Sequence, residues 1–419
     1  MQMNLFNTKT RKIEPFSTHR KEITLYVCGI TPYDTTHLGH AFTYCAADVL
    51  VRYLEFKGHT VSYAQNVTDI DDDILKKAGE LSADWREVGN KWTVHFIEDM
   101  QTLNVRPPGY FPRATAVIPQ IIENVAALLA AGVAYEAEGN VYFHINAWPQ
   151  FGQLSQIPAA EMLPIANEHG NHPDDPHKKE PLDFVLWQAQ KEGEPAWESP
   201  WGLGRPGWHS ECATIADSFL DLPVDIHMGG ADLCFPHHEC EIAQIEAVNE
   251  QLFVRFWLHT GMVACGGEKM SKSLGNLIMV RDLLQHYSAD ALRIYLAQHH
   301  YRQPWNYEEA GLIKAAQYAE RLKAAMQAVS SGTKSINLKP AENRFTAAMD
   351  NDLDTLKGVA TLLNVADEIL IRASQGYQVE EAQSFLRRLA AVFALQLDQE
   401  EPDAAIVAGW QQHQQQFNE

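Results

Sequence analysis

Four side chains of the types that bind zinc occur where a folded α/β chain could bring them together. His237 and Glu241 are four residues apart in a segment with helical spacing, so both can project from one helix face. Cys28 and Cys212 stand at the ends of predicted strands or turns. Thiolate, imidazole and carboxylate ligands together suit zinc better than magnesium or calcium. The set indicates a zinc site, although buried cysteines also serve as small apolar side chains and further donors compete as ligands: Cys234, His238 and Cys240.

Two other short motifs carry groups that suit a nucleotide phosphate. In "THLGH", His37 and His40 surround Gly39 at a helix start, where a phosphate would meet the positive end of the helix dipole. In "GEKMSKSLGN", Lys269 and Lys272 lie three apart in a glycine-flanked loop, a cationic clamp suited to a pyrophosphate leaving group. Either motif alone also fits an ordinary turn or a solvated loop.

The elements that must position these residues follow a strand, helix, strand pattern. "ITLYVCGITPYD" and "TVSYAQNVTDIDD" predict strands around the helical segment "HAFTYCAADVLVRYLEFKG", which is the unit of a parallel sheet. Further strands are predicted in "PVDIHMGGADL" and "VRFWLHTGMVAC", with a helix in "PHHECEIAQIEAVNE". Ligands bind beyond the carboxyl ends of such strands. The acidic run Asp69–Asp73 is interpreted as the cap of a helix that starts near Ile74.

Composition and charge narrow the class of protein. The chain has 419 residues, 46% hydrophobic and 21% charged, which predicts a soluble protein of two or three domains. The sequence has no apolar run of about 20 residues and no secretory signal, so we expect a cytoplasmic protein without membrane association. A net charge of -21 disfavours broad non-specific binding of nucleic acid.

Taken together, the motifs resemble a known enzyme family. "HLGH" and "KMSKS" resemble the two signatures of class I aminoacyl-tRNA synthetases. With "YVCGITPYD", "NVTDIDD", "GRPGWHSEC" and "DIHMGGADLCFPHHECEIAQ", residues 3–310 resemble the cysteinyl-tRNA synthetase family. The resemblance implies an α/β fold: a Rossmann-like parallel sheet with an inserted subdomain and a C-terminal helical bundle.

The resemblance also implies a role for each motif. The family's zinc ligands match Cys28, Cys212, His237 and Glu241. Its ATP-binding and charge-stabilising residues match His37, Gly39, His40, Lys269 and Lys272, with Mg²⁺ accompanying the nucleotide. Its cysteine pocket matches Thr68, Trp208 and Asp232, with His209 and His227 at the floor. Trp208 is equally compatible with core packing. The implied reaction is attack of the cysteine carboxylate on the α-phosphate of ATP, giving cysteinyl adenylate.

The expected domain boundaries follow from the same resemblance. They are 1–103 and 208–262 for the two halves of the catalytic domain, 104–207 for the inserted connective subdomain, 263–309 for the KMSKS loop and stem-contact region, 310–400 for the helical bundle and 401–419 for a frayed polar tail. We expect a monomer.

The acceptor of the cysteinyl group is interpreted from the end of the sequence. The last 25 residues, from Leu395, contain no Lys or Arg, so we expect no basic anticodon-reading domain. Stretches such as "DWREVGNKW" and "DDPHKKEPLDFVLW" resemble the mycothiol-biosynthesis ligase, although that enzyme generally lacks the carboxylate matching Glu241. The favoured acceptor is therefore a small-molecule amine such as an amino-sugar inositol, with tRNA-Cys as the alternative. A different class of protein is also considered: a paralogue without catalytic activity that binds cysteine or zinc.

Overall fold

Strands and helices alternate along most of the chain, and within the described residues only helices follow residue 309. The structure, a computed structural model, describes residues 2–18, 20–33, 36–249, 251–270, 274–330, 332–397 and 402–417. The strands are β1 (Asn4–Asn7), β2 (Lys12–Pro15), β3 (Glu22–Ile30), β4 (Thr60–Val67), β5 (Ala134–Ala137), β6 (Asn140–Phe143), β7 (Phe184–Ala189), β8 (Gly204–Pro206), β9 (Val224–Gly230), β10 (Val254–Thr260), β11 (Val263–Cys265), β12 (Glu268–Lys269) and β13 (Trp305–Tyr307). The helices are α1 (Leu38–Phe56), α2 (Asp72–Leu81), α3 (Trp85–Thr102), α4 (Ile118–Ala130), α5 (Ala159–Glu168), α6 (Trp208–Phe219), α7 (Glu239–Asn249), α8 (Val280–Leu284), α9 (Ala289–Ala297), α10 (Glu309–Gln327), α11 (Lys339–Met349), α12 (Thr355–Ser374), α13 (Glu380–Val392) and α14 (Ala404–Gln415).

The expected parallel sheet has the strand order β10-β9-β3-β4. Its central strand β3 is buried along nearly its whole length, as a continuous apolar run predicts for a sheet covered on both faces. Helix α1 connects β3 to β4, and α6 precedes β9. Because the strands are parallel, the residues that follow β3, β4 and β9 meet at one edge of the sheet. That edge carries the residues discussed below.

The inserted segment between α3 and α6 is more regular than its Pro, Gly and His content predicts. Strands β5, β6, β7 and β8 form an antiparallel sheet in that order, α4 packs against β5, and α5 packs against the chain at residues 234–238. The buried carboxylate of Glu239, at the start of α7, accepts hydrogen bonds from the backbone N–H groups of Leu154 (3.2 Å) and Ser155 (2.9 Å). These bonds fasten the insertion to the catalytic domain.

The C-terminal part is a helical bundle of α10–α13, followed by α14. The expectation of a frayed polar tail is wrong for residues 402–417, because α14 packs against α3. Trp410 is buried and its indole N–H donates to the backbone oxygen of Val105 at 2.8 Å. Ile406 and Phe417 are buried as well. The spacing of these three apolar side chains among glutamines carried the signal. Among the described residues, no helix has the length and apolar character to cross a membrane.

A buried charge cluster joins the catalytic domain to the bundle. The carboxylate of Asp48, in α1, contacts Arg52 at 2.9 Å and Arg293, in α9, at 2.6 Å. The Arg293 guanidinium also donates to the backbone oxygens of Leu103 and Phe393, which end α3 and α13. Burial tends to raise the pKa of Asp48, but the two arginines outweigh it and hold that pKa below its usual value. The ionised Asp48 carboxylate thus links α1 to α9, and Arg293 extends the link to the ends of α3 and α13.

We predict that Asp48→Asn lowers the free energy of unfolding by about 3–5 kcal/mol, because it leaves two arginines buried without a counter-charge. Thermal unfolding at neutral pH measures this loss. The pKa of Asp48 is lower in the folded protein than in the unfolded protein. The ionised carboxylate therefore stabilises the folded protein above about pH 4, and this stabilisation disappears as the pH falls further. The difference in free energy of unfolding between Asp48→Asn and the wild type should shrink over the same pH range. Arg321→Met breaks the exposed pair with Asp367 and serves as the control, with an expected loss below about 1 kcal/mol. Equal losses in both variants would contradict the role given to Asp48.

Candidate active site

A cavity of about 750 Å³ opens at the carboxyl edge of the parallel sheet. Its walls come from the turns after β3, β4 and β9, from the start of α6 and from the insertion. Several residues singled out from the sequence line it: Cys28, His37, Gly39, His40, Thr68, Trp208, His209, Cys212, Asp232 and His237. Motifs that are distant in sequence therefore share one enclosed space.

The four predicted zinc ligands come together at the base of this cavity. One donor atom from each of Cys28, Cys212, His237 and Glu241 lies within 4.8 Å of the others, and all four residues are buried. The Glu241 carboxylate is 3.1 Å from His237 Nε2 and 3.6 Å from Cys28 Sγ. Glu241 lies behind the other three. The proximity of these donors was predicted from sequence.

The local backbone at His237 differs from the expected helix. Helix α7 begins only at Glu239, and residues 234–238 form an irregular turn in which Phe235 is extended (φ -143°, ψ 133°). A helix spanning His237 and Glu241 is therefore only partly formed. The turn nevertheless directs His237 toward Glu241, and the stacked ring of Trp208 holds it there at a centroid distance of 4.5 Å.

A second group of donors shares two members with the first. It consists of Cys28, His227, His238 and Glu241. His238 Nε2 lies 3.3 Å from Cys28 Sγ, and His227 Nε2 lies 2.9 Å from the Glu241 carboxylate. The other ring nitrogen of His238 bonds to His259 at 2.8 Å, and His259 bonds to Thr8. His227 was expected to line the pocket floor, but it is wholly buried and stacks on Trp257 beneath that floor.

The side chains of this cluster shift one another's pKa values. The hydrogen bond from Cys28 outweighs burial and, with His237, lowers the pKa of the Cys212 thiol to about 6. Burial lowers the pKa of His237, but Cys212 and Glu241 more than compensate and raise it to about 10. Burial opposes ionisation of Glu241, yet His227 and His237 hold its pKa well below the usual value. Burial and the bond to Cys212 raise the pKa of Cys28. A cation at this point would meet a thiolate and a carboxylate already favoured in their ionised forms.

The donors fit a soft divalent cation. Two thiols, an imidazole and a carboxylate are a ligand set that zinc accepts in tetrahedral geometry. The rival cysteines are less suitable. Among the described residues, neither metal-type group includes Cys234 or Cys240, and burial raises the pKa of both thiols.

The predicted phosphate motif also lines the cavity. His37 caps α1, because its Nδ1 accepts hydrogen bonds from the backbone N–H groups of Gly39 (3.1 Å) and His40 (3.4 Å). The rings of His37 and His40 stack at a centroid distance of 3.7 Å. This arrangement keeps Nδ1 of His37 unprotonated and leaves Nε2 as the nitrogen that can carry the proton. The turn is also joined to the segment after residue 273, since Leu38 N donates to Ile278 O at 2.8 Å.

The lysine motif is only partly described. Lys269 ends β12, and its Nζ lies 3.9 Å from the carboxylate of Asp232 in the cavity wall. Lys272 and its two flanking serines lie outside the described residues. Of the acidic run, Asp71 caps α2 as expected, through a 2.6 Å bond from Asp73 N. Asp69 instead accepts two bonds from Thr115.

Some residues around the cluster were missed by the sequence analysis. Tyr44 donates its hydroxyl to the backbone oxygen of Cys28 at 3.2 Å. Tyr26 donates to Asn66 Oδ1 at 3.1 Å, and His259 extends the contacts of His238. These side chains belong to apolar strand or helix patterns, so the pattern classified them as core. Asn66 carried a usable signal, since it is a polar residue near the end of a buried strand.

Comparison with known proteins gives a consistent result. The family described as "tRNA synthetases class I (C) catalytic domain" matches residues 15–317. The cysteine–tRNA ligase of Dehalococcoides mccartyi is 42% identical over 412 residues, covering 97% of this chain and 89% of that protein. That of Thermococcus onnurineus is 42% identical over 417 residues, covering 94% and 87%. The methionyl-tRNA synthetase of Mycobacterium tuberculosis, solved with methionyl-adenylate, has a TM-score of 0.64 at 14% identity and covers 95% of this chain and 93% of that chain.

The parallel sheet, the histidine-capped turn after its central strand and the matched domain define a class I aminoacyl-tRNA synthetase fold. The similarity to curated relatives extends over nearly the whole chain. The chain belongs to the cysteine–tRNA ligase family. The expectation of an ATP-dependent ligase of the class I aminoacyl-tRNA synthetase family is confirmed, whereas the mycothiol-ligase resemblance receives no support from these comparisons.

We predict that the side chain of His37 stabilises α1 as its N-cap and that another good N-cap residue can replace it in this role. His37→Ala should lower the free energy of unfolding by about 1 kcal/mol, because the first N–H groups of α1 lose their acceptor. His37→Asn should retain wild-type stability, since asparagine is a good N-cap. Thermal unfolding of both variants provides the measurement. Equal destabilisation by Ala and Asn would show that the cap contributes little.

Proposed function

We propose that the protein is a cysteine–tRNA ligase that activates cysteine with ATP and transfers the cysteinyl group to tRNA-Cys. The observation that carries the proposal is the buried cluster of two cysteines, a histidine and a glutamate at a cavity that the histidine turn also lines. The names of the relatives support it. They favour the tRNA alternative over the small-molecule amine that the sequence analysis preferred.

The proposed zinc ligands are Cys28, Cys212, His237 and Glu241. Three of these line the cavity, whereas neither His227 nor His238 of the second group lines it. Bound zinc would accept the substrate thiolate, a bond that serine forms poorly and valine does not form. The chain's contribution is to hold the ligands apart from bulk water and to present three of them on one wall.

Neighbouring residues are proposed to bind the rest of the cysteine molecule. Thr68 and Trp208 line the cavity on either side of the cluster, and the half-exposed carboxylate of Asp232 supplies a negative charge for the substrate ammonium group. His209 lies behind Trp208, with its Nδ1 2.9 Å from Nδ1 of His237. Burial and the nearby His237 hold the pKa of His209 well below its usual value, so its ring is neutral. A neutral ring there avoids repelling an ammonium group.

The histidine turn and the lysine loop are proposed to act on ATP. A carboxylate oxygen of cysteine attacks the α-phosphorus, the bond to the pyrophosphate oxygen breaks, and no proton needs to move. His37, Gly39 and His40 are placed to bind phosphate at the start of α1, with Lys269 and Lys272 stabilising charge on the departing pyrophosphate. Mg²⁺ accompanies the nucleotide. A ribose hydroxyl of tRNA then attacks the acyl carbon and releases AMP and a proton.

We predict that labelled cysteine appears on tRNA when enzyme, ATP, bulk tRNA and glucosaminyl-inositol are incubated together. Acid-precipitable and small-molecule products are separated and counted. Label only on the amino sugar would overturn the tRNA proposal and restore the small-molecule acceptor. If neither product forms and cysteine-dependent pyrophosphate exchange is also absent, the chain would be a non-catalytic binder.

The zinc assignment yields a second prediction. Cys212→Ser should retain little zinc after dialysis against a chelator and should raise KM for cysteine while leaving KM for ATP unchanged. Cys240→Ser is a matched control, because Cys240 is equally buried nearby but belongs to neither ligand group. Zinc per chain is measured by atomic absorption. Loss of zinc in the Cys240 variant with retention in the Cys212 variant would refute the assignment.

A further inference from the structure

Strand β3, which contains Cys28, and strand β4, which Thr68 follows, shift their pairing register by one residue. Val27 pairs with Gln65 and Ile30 pairs with Val67, so β3 contains one more residue than β4 across this interval. Bulges of this kind occur next to active sites and redirect a side chain. Here the bulge contains Cys28 and Gly29. The backbone N–H of Gly29 therefore needs an acceptor other than the regular strand ladder.

The side chain of Asn66 supplies that acceptor. Asn66 Oδ1 lies 2.7 Å from the Gly29 nitrogen and 3.1 Å from the Tyr26 hydroxyl. Its Nδ2 lies 3.0 Å from Oγ1 of Thr68. The residue is wholly buried. One amide group thus bridges the bulge of β3 and the residue that follows β4.

The orientation of this amide is determined by its partners. A backbone N–H can only donate, so the atom of Asn66 that faces Gly29 must be the oxygen. The Nδ2 group consequently faces Thr68 and donates to its hydroxyl oxygen. Thr68 has a single hydroxyl proton, which is left for an acceptor other than Asn66. The buried carboxyl group of Glu211 is close enough to Thr68 to accept this proton, so a substrate carboxylate would have to replace Glu211 as its acceptor.

The close packing of the bulge keeps this bridge short. A Cβ atom on Gly29 would lie 1.6 Å from the backbone oxygen of Asn66, which no side chain tolerates. Glycine at this position lets the two strands approach closely enough for the Asn66 amide to span them. Gly29 and Thr68 both line the cavity, whereas Asn66 lies behind them.

We propose that Asn66 is a positioning residue that sets the Thr68 hydroxyl as a hydrogen-bond donor to the carboxylate of bound cysteine. The inference rests on the proposed function. It assigns a direction to one hydrogen bond: the Thr68 proton points away from Asn66 and is donated to a carboxylate oxygen of the substrate, while the second lone pair of Thr68 Oγ1 stays available to a donor. Asn66 also holds the Cys28 turn at a fixed distance from that donor. It contacts no substrate atom itself.

Asn66→Asp tests the direction of the bond. Aspartate keeps an acceptor for Gly29 and Tyr26 but offers no N–H to Thr68, whose hydroxyl then donates to the new carboxylate instead of the substrate. We expect KM for cysteine in pyrophosphate exchange to rise roughly threefold to tenfold. KM for ATP and the zinc content should stay unchanged. Asn104→Asp is the matched control, since Asn104 is a buried amide bonded to Ala394 O at 2.8 Å, and its cysteine KM should equal that of wild type.

A double-mutant cycle separates positioning from general destabilisation. Thr68→Val removes the hydroxyl and should raise KM for cysteine by a similar factor. Adding Asn66→Asp to Thr68→Val should change KM by less than about twofold, because the two effects act through one hydroxyl. In a Thr68→Ser background, which keeps the hydroxyl, Asn66→Asp should retain its full effect.

Several results would overturn the inference. An Asn66→Asp effect of the same size with and without the hydroxyl would make Asn66 merely structural, as would an equal rise in KM for ATP. If Asn66→Asp does not fold, the comparison of Thr68→Val with Thr68→Ser provides the test. An unchanged KM for cysteine in Thr68→Val would then refute the Thr68 hydroxyl as a donor to the substrate. Absence of cysteine-dependent exchange in the wild type would instead overturn the proposed function, and this inference with it.

Discussion

The structure depends on keeping four metal-type donors buried within 4.8 Å of one another. Such a cluster is costly to desolvate unless its charges are paired. The four donors come from four separate segments: Cys28 from β3, Cys212 from α6, His237 from the irregular turn before α7 and Glu241 from α7. Paired charges and hydrogen bonds then fix which donors are ionised, and the Asn66 amide maintains the bulge that directs Cys28 inward. The cavity above the cluster exists because these elements meet at one edge of the sheet.

Rigidity at this edge is supported from outside the sheet. Helix α1 begins at the histidine turn and carries Asp48, whose carboxylate is shared by Arg52 and Arg293. The same Arg293 contacts the ends of α3 and α13, so the helix that begins at the histidine turn and the bundle are connected through one buried arginine. Helix α14 adds a second connection through Trp410 and Val105.

Much of the fold and of the candidate site could be predicted from sequence, because each rests on local patterns. Alternating strand and helix periodicity predicted the parallel sheet, and residue type with spacing predicted the donor cluster. Features set by tertiary contacts could not be predicted from the sequence. The irregular turn before α7, the packing of α14 and the role of Asn66 each depend on a partner far away in sequence. The preference for a small-molecule acceptor receives no support from the comparisons, which favour the tRNA alternative. It relied on net charge and terminal composition, which report on solubility and association and not on which acceptor reaches the cavity.

The two bonds from the insertion to Glu239 have a mechanical consequence. Glu239 and Glu241 occupy the same first turn of α7, so the carboxylate that anchors the insertion is two residues from one that belongs to the donor cluster. A helix turn is stiff over this distance. The segment at Leu154 and Ser155 is therefore anchored to the same helix turn that carries Glu241, so the insertion and the base of the cavity share one support.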